Sequence, residues 1–215
     1  MRNNGDRRTH ISASQIHTYM YCQRSFHFKY NLGLPQASSA AMNKGKLFHE
    51  RIAKALVAKE EPFLPKKWLM NYRAIVERLN FTDDILVEQK VETEIDGHNV
   101  LGYVDVIDRG QRLIVDWKFG RKVGKYNVQG YLYKRLVKQI YGLDCDVAFA
   151  FVPALAVKPM FPADYDDGQA MFEAFLERPP ECVFKFYATS RKCQACGYYM
   201  YCMNPQAVEG IELEE

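Results

Sequence analysis

Asp116 and Lys118 close the apolar run Leu-Ile-Val-Asp-Trp-Lys, residues 113 to 118. Side chains alternate across a β-strand, so a strand here turns the acid and the amine to one face and Trp117 to the other. Residues 99 to 107 read as a preceding strand that contains Asp105, with a turn at residues 108 to 111 between the two. Pairing Val104 with Val115 and Val106 with Leu113 gathers four aliphatic side chains and Trp117 on one face. That register sets Asp105 and Asp116 diagonally on the other face, about 7–8 Å apart at the backbone, with Lys118 beside them. A slip of one residue would scatter the aliphatic set. Two carboxylates and an amine so placed suit a hard divalent cation, which takes oxygen ligands and keeps several waters. The amine can orient an attacking water and offset developing negative charge. The plainer alternative is a solvated Asp/Lys pair at a strand end, worth little to stability.

Flanking residues add to the set. Gly-Lys-Leu-Phe-His-Glu, residues 45 to 50, puts His49 one helical turn after Gly45. Imidazole ligates transition metals, Mn²⁺ among them, in sites that carboxylates complete. Gln129 and Tyr133 are spaced i, i+4 and so share one face of the helix that follows the Lys118 strand.

Cys193, Cys196 and Cys202 form Cys-x2-Cys-x5-Cys, three potential metal or cluster ligands within ten residues. Cys22, far upstream, is the candidate fourth. Zinc held by four thiolates is one outcome. Zinc sites usually combine two short pairs, whereas a triplet plus a distant ligand suits an iron–sulfur cluster better. Cys145 and Cys182 fall outside this spacing and are assigned to packing.

The elements that must position these groups follow from periodicity. The chain has 215 residues, 48% hydrophobic and 26% charged, with a formal charge of +3. That length can bury one substantial core. The mild positive charge does not by itself predict a nucleic-acid partner. Ser12 to Gln15 resembles a capping box opening a helix to about residue 31. Asn43 is expected to cap a second helix bearing His49, and residues 66 to 79 form a third. Strands follow at 85 to 95, 99 to 107 and 112 to 118, the first two joined by Asp96-Gly97, a strong hairpin signal. Residues 124 to 141 are helical, 145 to 152 form a strand and 164 to 177 a further helix. The order predicts an α/β or α+β sandwich. No apolar run reaches the ~20 residues of a membrane helix, and the N-terminus lacks a signal-peptide core. The expectation is a cytoplasmic protein.

Taken together, these residues resemble the RecB-like exonucleases of the PD-(D/E)XK superfamily, and within it the iron–sulfur branch that includes CRISPR-associated exonucleases and viral relatives. Gly45-x3-His49-Glu50, Gly102-x2-Asp105, Asp116-Trp117-Lys118, Gln129-x3-Tyr133 and the four cysteines occur in the family's order from Ser12 to Cys202. Two departures stand out: Gln23 occupies the usual proline position after Cys22, and Trp117 the usual tyrosine position.

The resemblance implies an α/β fold with a restriction-endonuclease-like core, a mixed central sheet flanked by helices. A single domain would comprise an N-terminal helical part (1–80), a nuclease core (81–180) and a cysteine-rich tail (181–215) tied back by the cluster. It assigns His49, Asp105, Asp116 and the Trp117 carbonyl to Mn²⁺ or Mg²⁺, and Lys118 to catalysis. Cys22, Cys193, Cys196 and Cys202 would hold a 4Fe-4S cluster, with zinc as the alternative. Gln129 and Tyr133 would contact DNA, with Arg121, Lys122 and Lys125 along its backbone. Lys134, Arg135 and Lys138, interleaved with Tyr126, Tyr131 and Tyr133, extend this charge run. The implied substrate is single-stranded DNA, digested from an end in the 5′-to-3′ sense. The other implied role is end binding beside a nuclease, helicase or integrase partner. No Walker motif is present, so helicase activity would belong to such a partner.

Overall fold

In the computed structural model, the described residues are 10–36, 40–120, 126–178, 191–194 and 196–204. Helices α1 (Ala13–Tyr21), α2 (Gln23–Phe26), α3 (Ala40–Ala58) and α4 (Lys66–Leu79) precede strands β1 (Ile85–Ile95), β2 (His98–Asp108) and β3 (Leu113–Lys118). Helix α5 (Asn127–Tyr141), strands β4 (Asp146–Phe151) and β5 (Ala156–Pro159), and helix α6 (Pro162–Leu176) complete the core. Short helices α7 (Arg191–Gln194) and α8 (Tyr199–Met203) lie in the cysteine-rich tail.

The sheet runs β1-β2-β3-β4-β5. Three neighbouring pairs are antiparallel; β3 and β4 are parallel, joined through α5 as a crossover. This mixed sheet with helices on both faces is an α/β architecture. One face packs Ile107, Ile114 and Phe149 against α1, α5 and α6. The other packs Val106, Val115 and Trp117 against Phe48 and Ile52 of α3 and Tyr72 and Ile75 of α4.

Local chemistry sets the joints. Asp96 and Gly97 both take positive φ, 51° and 78°, as a two-residue hairpin turn requires. Buried Asp108 anchors the next turn by accepting four hydrogen bonds: from the Thr82 N–H and hydroxyl, and from the Gln111 N–H and amide. Burial alone would raise the Asp108 pKa, but those donors hold it below the ordinary value.

Several expectations are corrected. The first helix stops at Tyr21, because Cys22 is extended (φ −163°), and the chain resumes as α2 and a π-helical turn, His27–Asn31. Asn43 lies inside α3, which begins at Ala40. The β5 strand was not anticipated. The β2–β3 register pairs Val106 with Val115 and Asp108 with Leu113, two residues from the predicted pairing. Val104 packs on the opposite side of the sheet from Val106, so the four aliphatic residues do not share one face.

Candidate active site

The face change between Val104 and Val106 in β2 has a counterpart at the same level of β1. The β1–β2 ladder pairs Val87 with Val106 and Gln89 with Val104, but Glu88 and Asp105, which lie between, drop out of it. Glu88 adopts φ +52°, a left-handed conformation that is costly for a non-glycine residue. One such residue in mid-strand reverses which face the following side chains take. The outcome is a cluster: ligand atoms of Glu88, Asp105 and His49 lie within 4.8 Å of one another. His49 reaches it from α3, with Nδ1 3.1 Å from Asp105 Oδ2. The same oxygen accepts the Trp117 N–H at 2.7 Å, tying β2 to β3.

Continuing the observed β2–β3 register one step past Val106–Val115 sets Asp105 across from Asp116, facing it rather than diagonal to it. Asp116 is buried and belongs to a closed polar circuit. Its Oδ2 lies 2.7 Å from Lys118 Nζ. Lys118 donates to Gln129 Oε1 at 2.7 Å, and Gln129 Nε2 donates to Asp116 Oδ1 at 2.8 Å. Gln129 Nε2 also meets Tyr133 Oη at 2.8 Å, and Tyr133 donates to the Tyr103 carbonyl. Gly102 makes this approach possible. A Cβ there would sit 3.0 Å from Tyr133 Cε1 and 3.1 Å from Leu136 Cδ1.

The electrostatics suit a cation. Burial, then the charge of Asp105, push the Asp116 carboxyl up to about 6 even against Lys118 and His49. Burial lowers the His49 pKa, but its hydrogen bond and charge interaction with Asp105, then Asp116, bring the net shift upward. Burial, then Asp105, raise Glu88. Burial and the Asp116 charge raise Tyr133 well above its ordinary value, so its phenol stays protonated and donates. Despite its ion pair, Asp116 Oδ2 has no hydrogen-bond donor of acceptable geometry. An orphaned, buried carboxylate oxygen beside three further oxygen and nitrogen ligands fits Mg²⁺ or Mn²⁺.

His49, Asp105, Asp116, Lys118, Gln129 and Tyr133 are therefore gathered in one place. Trp117 enters through its backbone, while its indole is buried against Tyr72 and Phe81. Glu88 was missed by sequence reasoning: β1 carries Glu88, Glu92 and Glu94 alike, and nothing in its sequence singles out the first. Arg121, Lys122 and Lys125 lie outside the described residues. Lys134 and Lys138 pair with Asp144 and Arg135 with Asp96, so the later part of the expected charge run is neutralised within the protein.

In the tail, Cys196 and Cys202 pack around Phe28, Leu34 and Tyr198. Burial raises the Cys202 thiol, Arg24 lowers it, and the nearby Cys196, Cys22 and Cys193 raise it further. Cys22, Cys193 and Cys196 each lie within electrostatic reach of Cys202. Cys145 is buried in the main core, and Cys182 lies outside the described residues.

A family model described as the PD-(D/E)XK nuclease superfamily matches residues 10–203. A crystal structure of a candidate exonuclease from Eubacterium rectale superposes with a TM-score of 0.64 at 16% identity, covering 90% of each chain. The crystal structure of SSO0001 aligns with a TM-score of 0.48 at 13% identity, over 90% of this chain and 86% of that one. No curated protein matches the sequence. Among the described residues, no helix is long and apolar enough to cross a membrane.

Proposed function

The chain belongs to the PD-(D/E)XK nuclease superfamily, and from that premise we propose that it is a metal-dependent exonuclease acting on single-stranded DNA ends in the 5′-to-3′ sense. The observation that carries this reading is the Asp116–Lys118–Gln129 circuit set against the His49, Glu88 and Asp105 cluster.

His49, Glu88, Asp105 and Asp116 would hold Mg²⁺ or Mn²⁺, with the Trp117 carbonyl as a further ligand. The bound ion supplies Lewis acidity toward a phosphate oxygen and acidifies water. Lys118 does the positioning. Gln129 and Asp116 fix its ammonium, which orients the attacking water and faces the charge that grows on the phosphate. Tyr133 anchors Gln129, so the donor pattern is in place before the strand arrives. The leaving 3′ oxygen departs on the side opposite the attacking water.

Cys22, Cys193, Cys196 and Cys202 would hold a 4Fe-4S cluster in the proposed protein. The electrostatic reach of Cys22, Cys193 and Cys196 to Cys202 supports a shared site. Such a cluster would join the end of α1 to the tail.

The test is nucleotide release from labelled single strands blocked at one end or the other, with Mg²⁺ or Mn²⁺. Digestion should stop with a 5′ block, and Asp116→Ala and Lys118→Ala should each lose at least about 100-fold in rate. Undiminished cleavage by both variants would rule out the site.

A further inference from the structure

Beside the polar circuit, α1, the π-helical turn, β2 and α5 enclose a cavity of about 620 Å³. Gln129 and Tyr133 form one wall, so the cavity adjoins the circuit that holds Lys118 and Asp116, which lie behind that wall and do not line it. His17, Lys29, Tyr30, Tyr103 and Tyr126 supply most of the remaining chemistry. Among the described residues that line it, none is an aspartate or glutamate. That is unusual in a chain carrying 26 acidic residues, several of them concentrated a few ångströms away.

The lining groups are poised rather than spent. Tyr103 is 57% exposed on the sheet surface, a large aromatic face that packing does not use. Lys29 lies over the Tyr30 ring at 4.9 Å and has no acidic partner among the described residues. The His17 Nε2 is buried and has no hydrogen-bond partner. Its ring meets Tyr126 edge-on at 6.2 Å, while Lys118 Nζ sits over the same Tyr126 ring at 4.1 Å. Tyr126 therefore touches both the catalytic amine and His17. A smaller cavity of about 390 Å³ shares His17, Thr18 and Lys29 with the first and continues to Cys196 and Tyr198. It too has no carboxylate among its described lining residues.

Aromatic faces beside one lysine and a buried imidazole that burial keeps neutral, with no acid in the described lining, match a single-stranded nucleic acid, whose bases stack and whose phosphates repel carboxylates. We propose that the larger cavity receives the nucleotide next to the scissile phosphate, its base against Tyr30 or Tyr103 and its adjoining phosphate on His17 and Lys29. The strand then runs along α1 through the smaller cavity toward the cysteine-bearing tail. His17 and Lys29 are substrate-positioning residues on this account, and neither takes part in bond cleavage. The inference rests on the nuclease reading for its substrate class but not on turnover.

Two measurements test it. Asp116→Asn protein is irradiated with a single-stranded oligonucleotide carrying 5-iododeoxyuridine at its terminal position, and adducts are mapped by mass spectrometry. Adducts on Tyr30, Tyr103 or Tyr126 are expected; adducts confined to other surfaces would overturn the assignment. Separately, His17→Ala and Lys29→Ala should each raise KM for a single strand about tenfold with kcat within about twofold. Unchanged KM in both folded variants would overturn it as well. If either variant fails to fold, the cross-linking result decides. A protein that releases no nucleotides yet gives the tyrosine adducts would end the hydrolytic reading and leave the cavity assignment standing.

Discussion

Glu88 spends backbone energy to stand beside two other ligands. A left-handed non-glycine residue costs on the order of 1–3 kcal/mol, and it persists only where its surroundings demand it. Glu88→Gln should therefore act in opposite directions on two measurements. Calorimetric Mn²⁺ affinity should fall about tenfold or more, while the metal-free melting temperature rises as one crowded carboxylate is neutralised. The same crowding gives a pH dependence. Asp116 is raised to about 6, above its unfolded value near 3.8, so the metal-free fold loses stability as pH climbs between those values. His49 is also raised, and its contribution is present below 6.5 and lost as pH rises through its folded value. Both groups have the same sign. With chelator, the melting temperature should fall from pH 5 to pH 8, and Mg²⁺ or Mn²⁺ should restore it at pH 8. Asp116 and Lys118 could be set on one face from the sequence because β3 alternates without interruption, whereas Asp105 was placed by an alternation that fails in β2, where Val104 and Val106 take opposite faces. Glu88 was not legible, because alternation assumes an uninterrupted strand and its own φ breaks that assumption.

At the scale of elements, the register error did little damage because it was even. A displacement of two residues by itself preserves which face each side chain takes, and the reversal between Val104 and Val106 is a separate departure. The long helices and strands carried enough period to be read. Strand β5 did not, having four residues that end in Pro159. The break at Cys22 left no glycine or proline to mark it. Two motif glycines now separate by physics. Gly102→Ala forces its methyl to 3.0 Å from Tyr133, so the tyrosine must shift and the Gln129 contact with it. A loss of about tenfold in kcat and about 1–2 kcal/mol in stability is expected, read by steady-state kinetics and denaturant melts. Gly45 sits mid-helix with nothing within 4 Å of its Cβ position. Gly45→Ala should instead stabilise the protein by up to about 1 kcal/mol with turnover retained.

Across the whole molecule, the N-terminal helices and the tail meet in a small apolar cluster of Phe28, Leu34 and Tyr198. Phe28, Leu34 and Tyr198, with Leu32 and Tyr201 packed against them, make a small joint, and a cluster held by the four cysteines is where additional strength would come from. Anaerobically purified protein should contain iron and acid-labile sulfide, and Cys202→Ser should lose both with a lowered melting temperature. Mn²⁺ binding at the His49 cluster should survive that change, because its ligands come from α3, β1 and β2.

The parallel pairing of β3 with β4 also bears on how the chain matures. The three-strand meander from β1 to β3 can zip through local contacts, so the acids are assembled early. Gln129 and Tyr133, however, ride on the crossover helix, which docks only when β4 finds its non-local partner. A nascent chain emerging up to Lys118 thus carries the carboxylates without the groups that aim the lysine. The aim of the lysine should therefore be withheld until β4, Asp146–Phe151, has been synthesised and has paired with β3.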